Sequence, residues 1–229
     1  MVIHKKIEIN MKNVIYALLI LSFTSCSIDN YDMPNAKISG TVMDNLTGDM
    51  VENGGVNSGT LIQIFEGDSK QPILSQSFPD GHFVNAALFT GHYRLWAVGA
   101  FKMVEDTIDI AISSDTKVDI KVLPNVRLSA SLDSFDGTTA VVKIKYEKVN
   151  KDETLDRLGI IWSNFNNPNT SVFAGGNFQE QNVSSEELTS GDRIFTTTGL
   201  TAGKKYDFRA AARTDVAGNY YNYSPTFSK

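Results

Sequence analysis

The sequence predicts an all-β protein in which two β-sandwich domains follow one another after a signal peptide and a short tether. Three observations carry this prediction. A basic and then apolar N-terminus ends near the only cysteine, short alternating segments separated by turn residues fill the rest of the chain, and no helical period exceeds two turns. A length of 229 residues suits two small domains.

The first segment has the order of features found in a secretory signal. Three lysines precede the mostly apolar run 14–23, and small residues then lead to Cys26. The run is shorter than the roughly 20 residues that a membrane-spanning helix needs. We therefore predict that residues 1–25 are a signal peptide and not a transmembrane anchor.

Residues 21–26, Leu-Ser-Phe-Thr-Ser-Cys, resemble a bacterial lipobox. The resemblance implies cleavage after Ser25 and lipidation of the Cys26 thiol, which would tie the protein to a membrane. Each buried methylene contributes about 0.8 kcal/mol, so several acyl chains give lasting attachment. The acidic tether in 26–35 is similar to that of surface-exported Bacteroidetes lipoproteins, which implies an outer-membrane, cell-surface location. The alternative is an ordinary signal peptide with an incidental cysteine.

The composition of the mature chain argues against several classes of function. Removal of residues 1–25 takes away three lysines and one glutamate, which changes the formal net charge from −5 to −7. Nucleic-acid binding requires clustered Lys and Arg, so we expect no nucleic-acid partner. His82 and His92 are the remaining histidines, and no nucleophile or phosphate-loop motif occurs. We expect no catalytic residues, no metal and no cofactor.

Residues 36–123 hold alternating segments that predict the strands of the first sandwich. The segments are 37–42, 61–65, 73–77, 93–98, 107–112 and 117–122. Turn residues separate them, as in Asn-Leu-Thr-Gly at 45–48. In the last segment Val118, Ile120 and Val122 alternate with charged residues, which predicts one buried face and one face in water.

The order of these segments is similar to transthyretin-like and carboxypeptidase-regulatory-like sandwiches. The motifs that carry this likeness are Ile-Ser-Gly-Thr-Val at 38–42, Thr-Gly at 47–48, Asp-Gly-His-Phe at 80–83 and Gly-His-Tyr-Arg-Leu at 91–95. Such modules are usually accessory domains rather than catalytic ones. The resemblance therefore implies a role in contact and not in catalysis.

Residues 124–229 predict the second sandwich, with strands at 126–132, 140–146, 158–162, 193–198, 205–213 and 219–227. The passage 199–213 resembles a fibronectin type III repeat, in which Tyr206 matches the corner tyrosine whose hydroxyl bonds to an upstream backbone group. The alternation divides this strand into two sets, with Tyr206, Phe208, Ala210 and Ala212 pointing inward and Asp207, Arg209 and Arg213 facing water.

The mature chain as a whole resembles a Bacteroidetes family of two-domain lipoproteins of unknown function that are encoded beside SusC/SusD-type glycan-uptake systems. The lipobox, the acidic tether and the two sandwich patterns carry this resemblance. It implies three kinds of partner: a membrane through the lipid anchor, a glycan, and SusC/SusD-type uptake proteins.

The segment 163–178 is the best sequence candidate for glycan recognition. Its 16 residues include five asparagines, three phenylalanines and no charge. Amides hydrogen-bond to sugar hydroxyls, and aromatic rings cover the C–H face of a sugar. With two aromatic residues from elsewhere, the predicted glycan-binding side chains are Asn164, Phe165, Asn167, Phe173, Asn177, Trp96 and Tyr221. The alternative is that the phenylalanines pack into the core or that the segment pairs as an edge strand.

These observations favour a non-catalytic, lipid-anchored surface protein that recognises a glycan or docks on an outer-membrane uptake complex. The alternative is a fimbrillin-like pilus or adhesin subunit, because such subunits also place two sandwiches behind a lipobox and polymerise by strand exchange. Size-exclusion chromatography distinguishes the two hypotheses, since a pilin forms ladders of assemblies.

Overall fold

The computed structural model describes residues 32–55, 58–184, 186 and 188–229. The predicted signal peptide and Cys26 lie outside the described residues. Every regular element is a strand, so the predicted all-β class with sandwich-like sheets is confirmed. The part of the chain that the structure describes contains no helix long and apolar enough to cross a membrane. Residues Pro34–Lys229 form one compact unit.

Nine strands among the described residues build the first sandwich. They are β1 (Ala36–Asp44), β2 (Leu61–Glu66), β3 (Ile73–Gln76), β4 (His82–Leu88), β5 (Gly91–Val98), β6 (Phe101–Met103), β7 (Ile108–Ile112), β8 (Thr116–Lys117) and β9 (Ile120–Pro124). One sheet has the order β4-β1-β9-β6, with β8 also paired to β1, and the other has the order β3-β2-β5-β7. Strand β1 pairs in parallel with β8 and β9, and the other pairings of these sheets are antiparallel.

The core of the first sandwich lies between its two sheets. Ile38 on β1, Ile62 on β2 and Leu95 on β5 are fully buried there. The predicted alternation of the segment 117–122 is confirmed at Ile120 and Val122, which are both fully buried. The period of two along each strand therefore sends alternate residues into this core.

Gly40 marks the place where the chain between β8 and β9 passes over β1. A Cβ atom at residue 40 would lie 1.6 Å from the carbonyl oxygen of Val118. The N–H of Val118 donates to the carbonyl of Ser39 across the same contact, at 3.0 Å. The glycine of the 38–42 motif is therefore required by close backbone approach.

Eight strands among the described residues build the second sandwich. They are β10 (Val126–Phe135), β11 (Ala140–Lys148), β12 (Leu155–Ser163), β13 (Asn177–Asn182), β14 (Ser190–Thr197), β15 (Asp207–Thr214), β16 (Asn222–Tyr223) and β17 (Phe227–Ser228). One sheet has the order β10-β11-β14, and the other has the order β13-β12-β15-β16, with β17 also paired to β15. The inward set predicted for β15 is confirmed, since Tyr206, Phe208, Ala210 and Ala212 all join the core.

The predicted tyrosine corner is present. The backbone N–H of Thr201 donates a hydrogen bond to the hydroxyl of Tyr206, with 3.1 Å between nitrogen and oxygen. Tyr206 itself is buried. The side chain thus ties the turn before β15 to the strand that follows it, as the sequence predicted. Trp162 is also buried in the core, on the same face of its strand as Leu158 and Ile160.

The predicted outward set of β15 is wrong at two residues. Arg209 is fully buried, and Asp207 is buried with Oδ1 accepting a 2.7 Å hydrogen bond from the Ser228 hydroxyl. The reason is tertiary, because residues of the first sandwich lie over Arg209. Both faces of this strand are therefore covered, and an alternation argument assumes that one face meets water.

The alternation pattern did not predict three of the strands, and two segments predicted as single strands each form two shorter ones. Strands β4 and β6 were not predicted. The polar strand β13 overlaps the segment 163–178 only at Asn177 and Phe178, where it agrees with the alternative of an edge strand, and it continues to Asn182. The predicted strand 117–122 is β8 followed by β9, and the predicted strand 219–227 is β16 followed by β17. The sequence of β13, Asn-Phe-Gln-Glu-Gln-Asn, carries little apolar signal because it is an edge strand held by its pairing with β12.

Polar side chains join the two sandwiches. Those of the second sandwich that bond to the first include Arg127 to Asp44, Arg209 to Glu52, Asn222 to the carbonyl of Ala100 and Asn169 to the carbonyl of Gly54. Asn169 and Asn222 are buried at this junction. Buried polar groups must be hydrogen-bonded to be tolerated, so these contacts also fix the register of one sandwich against the other.

Candidate functional site

The outer face of the sheet β3-β2-β5-β7 carries an exposed tryptophan. Trp96 lies on β5, and 48% of its surface is exposed. It stands opposite Gln63 on β2, which in turn stands opposite Leu74 on β3. We call this surface the Trp96 face and define it by Gln63, Phe65, Leu74, Arg94, Trp96 and Asp109. Neighbouring strands lie about 4.8 Å apart, so the row from Leu74 to Trp96 spans about 10 Å.

The charges of the Trp96 face are balanced and held in place. The guanidinium of Arg94 lies over the ring of Phe65, 5.5 Å from its centroid. Its Nη2 donates to the carbonyl of Ser69 at 3.1 Å, and Asp109 stands opposite Arg94 on β7. A flat surface with an indole ring, an amide and no net charge can accept the C–H face of a neutral sugar while offering hydrogen bonds to its hydroxyls.

The segment 163–178 exposes only part of the side chains predicted to bind a glycan. Phe165 is 61% exposed, and Asn164 is exposed next to it. Asn167 adopts a positive φ of 51°, and its Oδ1 accepts a 2.8 Å hydrogen bond from the hydroxyl of Thr226. Asn177 begins β13, and its Oδ1 accepts from the N–H of Phe178. Both side chains are exposed, but the amide oxygen of each already accepts a hydrogen bond from within the protein.

Phe173 and Tyr221 pack against a small apolar cluster. That cluster has Ile161, Ala211 and Tyr223 as its buried residues, and both aromatic side chains are half-buried against it. The Tyr221 hydroxyl donates to Oε1 of Glu180 at 2.6 Å, and burial followed by this hydrogen bond raises the pKa of Tyr221 well above its usual value. Tyr221 and Phe173 therefore serve packing at this place in the fold.

Asn169 was not predicted as a key residue, and it explains the position of the segment. Its Nδ2 donates to the carbonyl of Gly54 at 2.7 Å, and its Oδ1 accepts from the N–H groups of Ser171 and Val172. The hydrogen bond to Gly54 therefore holds the segment 163–178 against the first sandwich. The predicted glycan-binding residues therefore do not form one site. Trp96 lies on the sheet β3-β2-β5-β7, and Asn164 and Phe165 are exposed on the segment 163–178. Asn167 and Asn177 accept hydrogen bonds within the protein, and Phe173 and Tyr221 pack against the apolar cluster.

A cleft lies at the junction of the two sandwiches and was not predicted. Its volume is about 320 Å³, and its lining residues come from the turn 44–52, the segment 124–128 and the segment 222–225. We call it the junction cleft.

Arg127 and Asp44 form a bidentate ion pair in the junction cleft. Nε and Nη2 of Arg127 approach the two carboxylate oxygens of Asp44 at 2.5 and 3.2 Å, and Nη1 lies 3.1 Å from Glu147. Burial raises the pKa of Asp44, but the hydrogen bonds from Arg127 and from the N–H of Leu46 outweigh it, and the pKa is lowered. Asp44 is therefore a carboxylate at neutral pH.

The structure offers no candidate metal centre in the residues it describes. Within those ranges, no group of three or more His, Cys, Asp or Glu side chains is arranged to hold a metal ion.

The fold and these two surfaces define the class: an all-β protein of two docked sandwiches with an exposed aromatic sheet face. Residues 36–123 match the family model described as the N-terminal domain of "Protein of unknown function (DUF3823)". This match spans the first sandwich. A search of the curated proteins finds no match.

Several solved structures share the fold over both sandwiches. A DUF3823 family protein of Bacteroides uniformis has a TM-score of 0.74 at 18% identity, covering 86% of this chain and 99% of its own. A second Bacteroides uniformis protein, called a "putative carbohydrate binding protein", has a TM-score of 0.73 at 20% identity with the same coverages. A DUF3823 family protein of Parabacteroides merdae has a TM-score of 0.70 at 18% identity, again covering 86% and 99%.

Proposed function

We propose that this protein is a non-catalytic carbohydrate-binding lipoprotein of the cell surface, and that the Trp96 face contacts the glycan. The single observation that carries the proposal is the exposure of Trp96, of which 48% is open to solvent on a central strand. Its chain neighbours Leu95 and Ala97 point the other way and are buried in the core. The core is therefore filled without the indole ring.

The chemistry around Trp96 suits a sugar better than it suits a second protein. Exposed aromatic rings bind the C–H face of a sugar ring, and the Gln63 amide beside the indole can both donate and accept a hydrogen bond. Arg94 and Asp109 balance each other in charge. The face is therefore suited to an uncharged glycan.

The Trp96 face is a better candidate than the segment 163–178. The amide oxygens of Asn167 and Asn177 already accept hydrogen bonds from within the protein, and Phe173 packs against the apolar cluster. Asn164 and Phe165 are exposed on this segment, which contacts both sandwiches. The relative described as a "putative carbohydrate binding protein" gives the glycan proposal independent support.

Membrane attachment through Cys26 belongs to the same proposal, with the protein placed beside an outer-membrane glycan-uptake complex. The lipobox at 21–26 and the acidic tether after it support this part. Mass spectrometry of the native protein tests it directly. A diacyl or triacyl adduct on Cys26 is expected, and an unmodified thiol would overturn the anchor.

A glycan microarray followed by quantitative binding tests the recognition step. The mature chain without lipid, residues 27–229, is compared with Trp96→Ala and with Phe165→Ala, which removes another exposed aromatic ring. We expect neutral polysaccharides to bind, the Trp96→Ala affinity for them to fall about tenfold or more, which corresponds to about 1.4 kcal/mol, and the Phe165→Ala affinity to stay within about twofold. An array without hits, or polysaccharide binding that is equal in Trp96→Ala and the native protein, would overturn the proposal.

A further inference from the structure

We infer that the junction cleft is a second binding site, which takes a neutral, hydroxyl-rich ligand of the size of a mono- or disaccharide. This inference rests on the proposed carbohydrate-binding function and assigns to it a site apart from the Trp96 face. The volume of about 320 Å³ falls at the lower end of the range of about 300–1,000 Å³ that small-molecule sites occupy. A long chain is too large for it.

The cleft exists only because the two sandwiches are docked. One wall comes from the turn after β1, and the other comes from the start of β10 and from the region of β16. Asp44 on the first wall and Arg127 on the second are joined by their ion pair, so the two walls are held at a fixed distance. Sites of this kind are commonly found at domain boundaries and are largely formed before the ligand arrives.

The apolar part of the lining offers a surface for the C–H face of a sugar. Among the lining residues, Met50 is 46% exposed and Leu128 is half-buried, and Tyr223 and Pro225 add further apolar surface. Methionine is flexible and polarisable, so it adapts to the shape of a bound ring. An exposed methionine over a cleft is also a place where a ligand can bury apolar area without rearranging the core.

The polar part of the lining supplies both donors and acceptors. The carboxylate of Asp49 makes no hydrogen bond within the described residues, while the Thr47 hydroxyl accepts from the N–H of Asp49 and keeps its own proton for donation. Nη1 of Arg127 donates one hydrogen bond to Glu147, and Nη2 donates one to Asp44. Each nitrogen carries a second proton that it can donate to a ligand. A sugar hydroxyl, which donates and accepts at once, matches this mixture.

The charge of the lining selects against anionic ligands. Asp44 is paired with Arg127 and Glu52 with Arg209, so the carboxylate of Asp49 leaves this region with a formal net charge of −1. Like charges repel strongly in a partly enclosed space. Uronic and sialic acids are therefore disfavoured, and neutral sugars are preferred.

The test uses the mature chain of residues 27–229, neutral mono- and disaccharides such as glucose, galactose, mannose and cellobiose, and glucuronic acid as the anionic counterpart. Binding is followed by amide chemical shifts in NMR and by calorimetry. Asp49→Ala removes an acceptor, Met50→Trp fills the rim, and Trp96→Ala alters only the Trp96 face. Asp49 and Met50 are exposed, so the folding of these variants is checked by their melting temperatures.

We expect a neutral sugar to shift the amides of 47–52 and 126–128, with affinity about tenfold lower in Asp49→Ala, lost in Met50→Trp and unchanged in Trp96→Ala. Glucuronic acid should bind at least about tenfold more weakly. Small sugars that bind both cleft variants like the native protein, or that bind nowhere while polysaccharides still require Trp96, would overturn the cleft and leave the proposed function standing. An absence of binding by glycans of any size would overturn both.

Discussion

The guanidinium of Arg209 and the carboxylate of Glu52 form an ion pair across the junction of the two sandwiches, with 2.6 Å between Nη2 and Oε2. No part of the Arg209 side chain is exposed. Its Nε also donates to the carbonyl of Ser224, its Nη2 to that of Pro79, and its plane lies over the Tyr223 ring at 4.6 Å. Burial raises the pKa of Glu52, and the charge of Arg209 opposes that rise.

Removal of Glu52 should leave a buried charge without its counter-ion. We expect Glu52→Ala to lower the free energy of unfolding by about 3–5 kcal/mol, which is the usual cost of removing one partner of a buried pair. Arg209→Met should cost less, because Glu52 keeps some contact with water. Urea unfolding of both single variants and of the double variant measures the coupling. Additive losses in the double variant would show that the pair does not act as a unit.

The pair of Asp44 and Arg127 should make stability depend on pH in a predictable direction. The pKa of Asp44 is lowered in the fold from its usual 3.8. The folded state therefore favours the carboxylate form of Asp44. The stability that this carboxylate contributes is fully present above the pKa of Asp44 in the unfolded chain, and it is lost as the pH falls through the lower pKa of the folded state. Asp44→Asn should cost about 1–3 kcal/mol at pH 7.

Thermal unfolding of Asp44→Asn and the native protein between pH 7 and pH 2.5 checks this expectation. The difference in melting temperature should shrink as the pH drops below about 3.8. Asp133→Asn is the control, because Asp133 is exposed on β10 and its replacement should change stability by less than about 0.5 kcal/mol. A difference for Asp44→Asn that stays constant with pH would contradict the assigned role.

Gly40→Ala should destabilise the first sandwich. Its Cβ would meet the carbonyl oxygen of Val118, a backbone atom that cannot turn aside, and overpacking of this kind costs about 1–3 kcal/mol or more. Gly91→Ala is the matched control, because its Cβ would approach only a Tyr93 ring atom, at 3.5 Å. Chemical denaturation of both variants makes the comparison, and equal stabilities would refute the close approach of β1 and Val118.

Tyr206→Phe isolates the hydrogen bond of the tyrosine corner. The ring and its packing remain, while the acceptor of the Thr201 N–H is removed. We expect a loss of about 0.5–1.5 kcal/mol, which is the usual net contribution of one hydrogen bond. Urea unfolding at constant pH measures it, and an unchanged midpoint would mean that water replaces the hydroxyl without loss.

The strands of the core were predictable because alternation is a local property of the sequence. Ile120 and Val122 alternate with charged residues, and Tyr206 and Phe208 follow a turn, so the chain itself reveals their buried face. Strand β13 was not predictable in this way, since it is polar and is held by its neighbour β12. Edge strands of this composition depend on pairing and not on burial.

The docking of the sandwiches was not visible in the sequence. Arg209 occupies an outward position of its strand and was therefore expected in water, but the first sandwich covers that face and supplies Glu52. The junction cleft follows from the same docking and could not be predicted either. Trp96 was named as a candidate from the sequence, but large side chains lie on both faces of β5, so only the structure assigns its exposure.

The most direct test of glycan recognition uses the indole N–H resonances of the two tryptophans. Trp96 is exposed on the proposed face, and Trp162 is buried in the second sandwich and serves as an internal control. On titration with a polysaccharide that the protein binds, we predict that the Trp96 indole signal moves or broadens in proportion to occupancy while the Trp162 signal stays in place. A titration that saturates binding without changing the Trp96 signal would contradict the account.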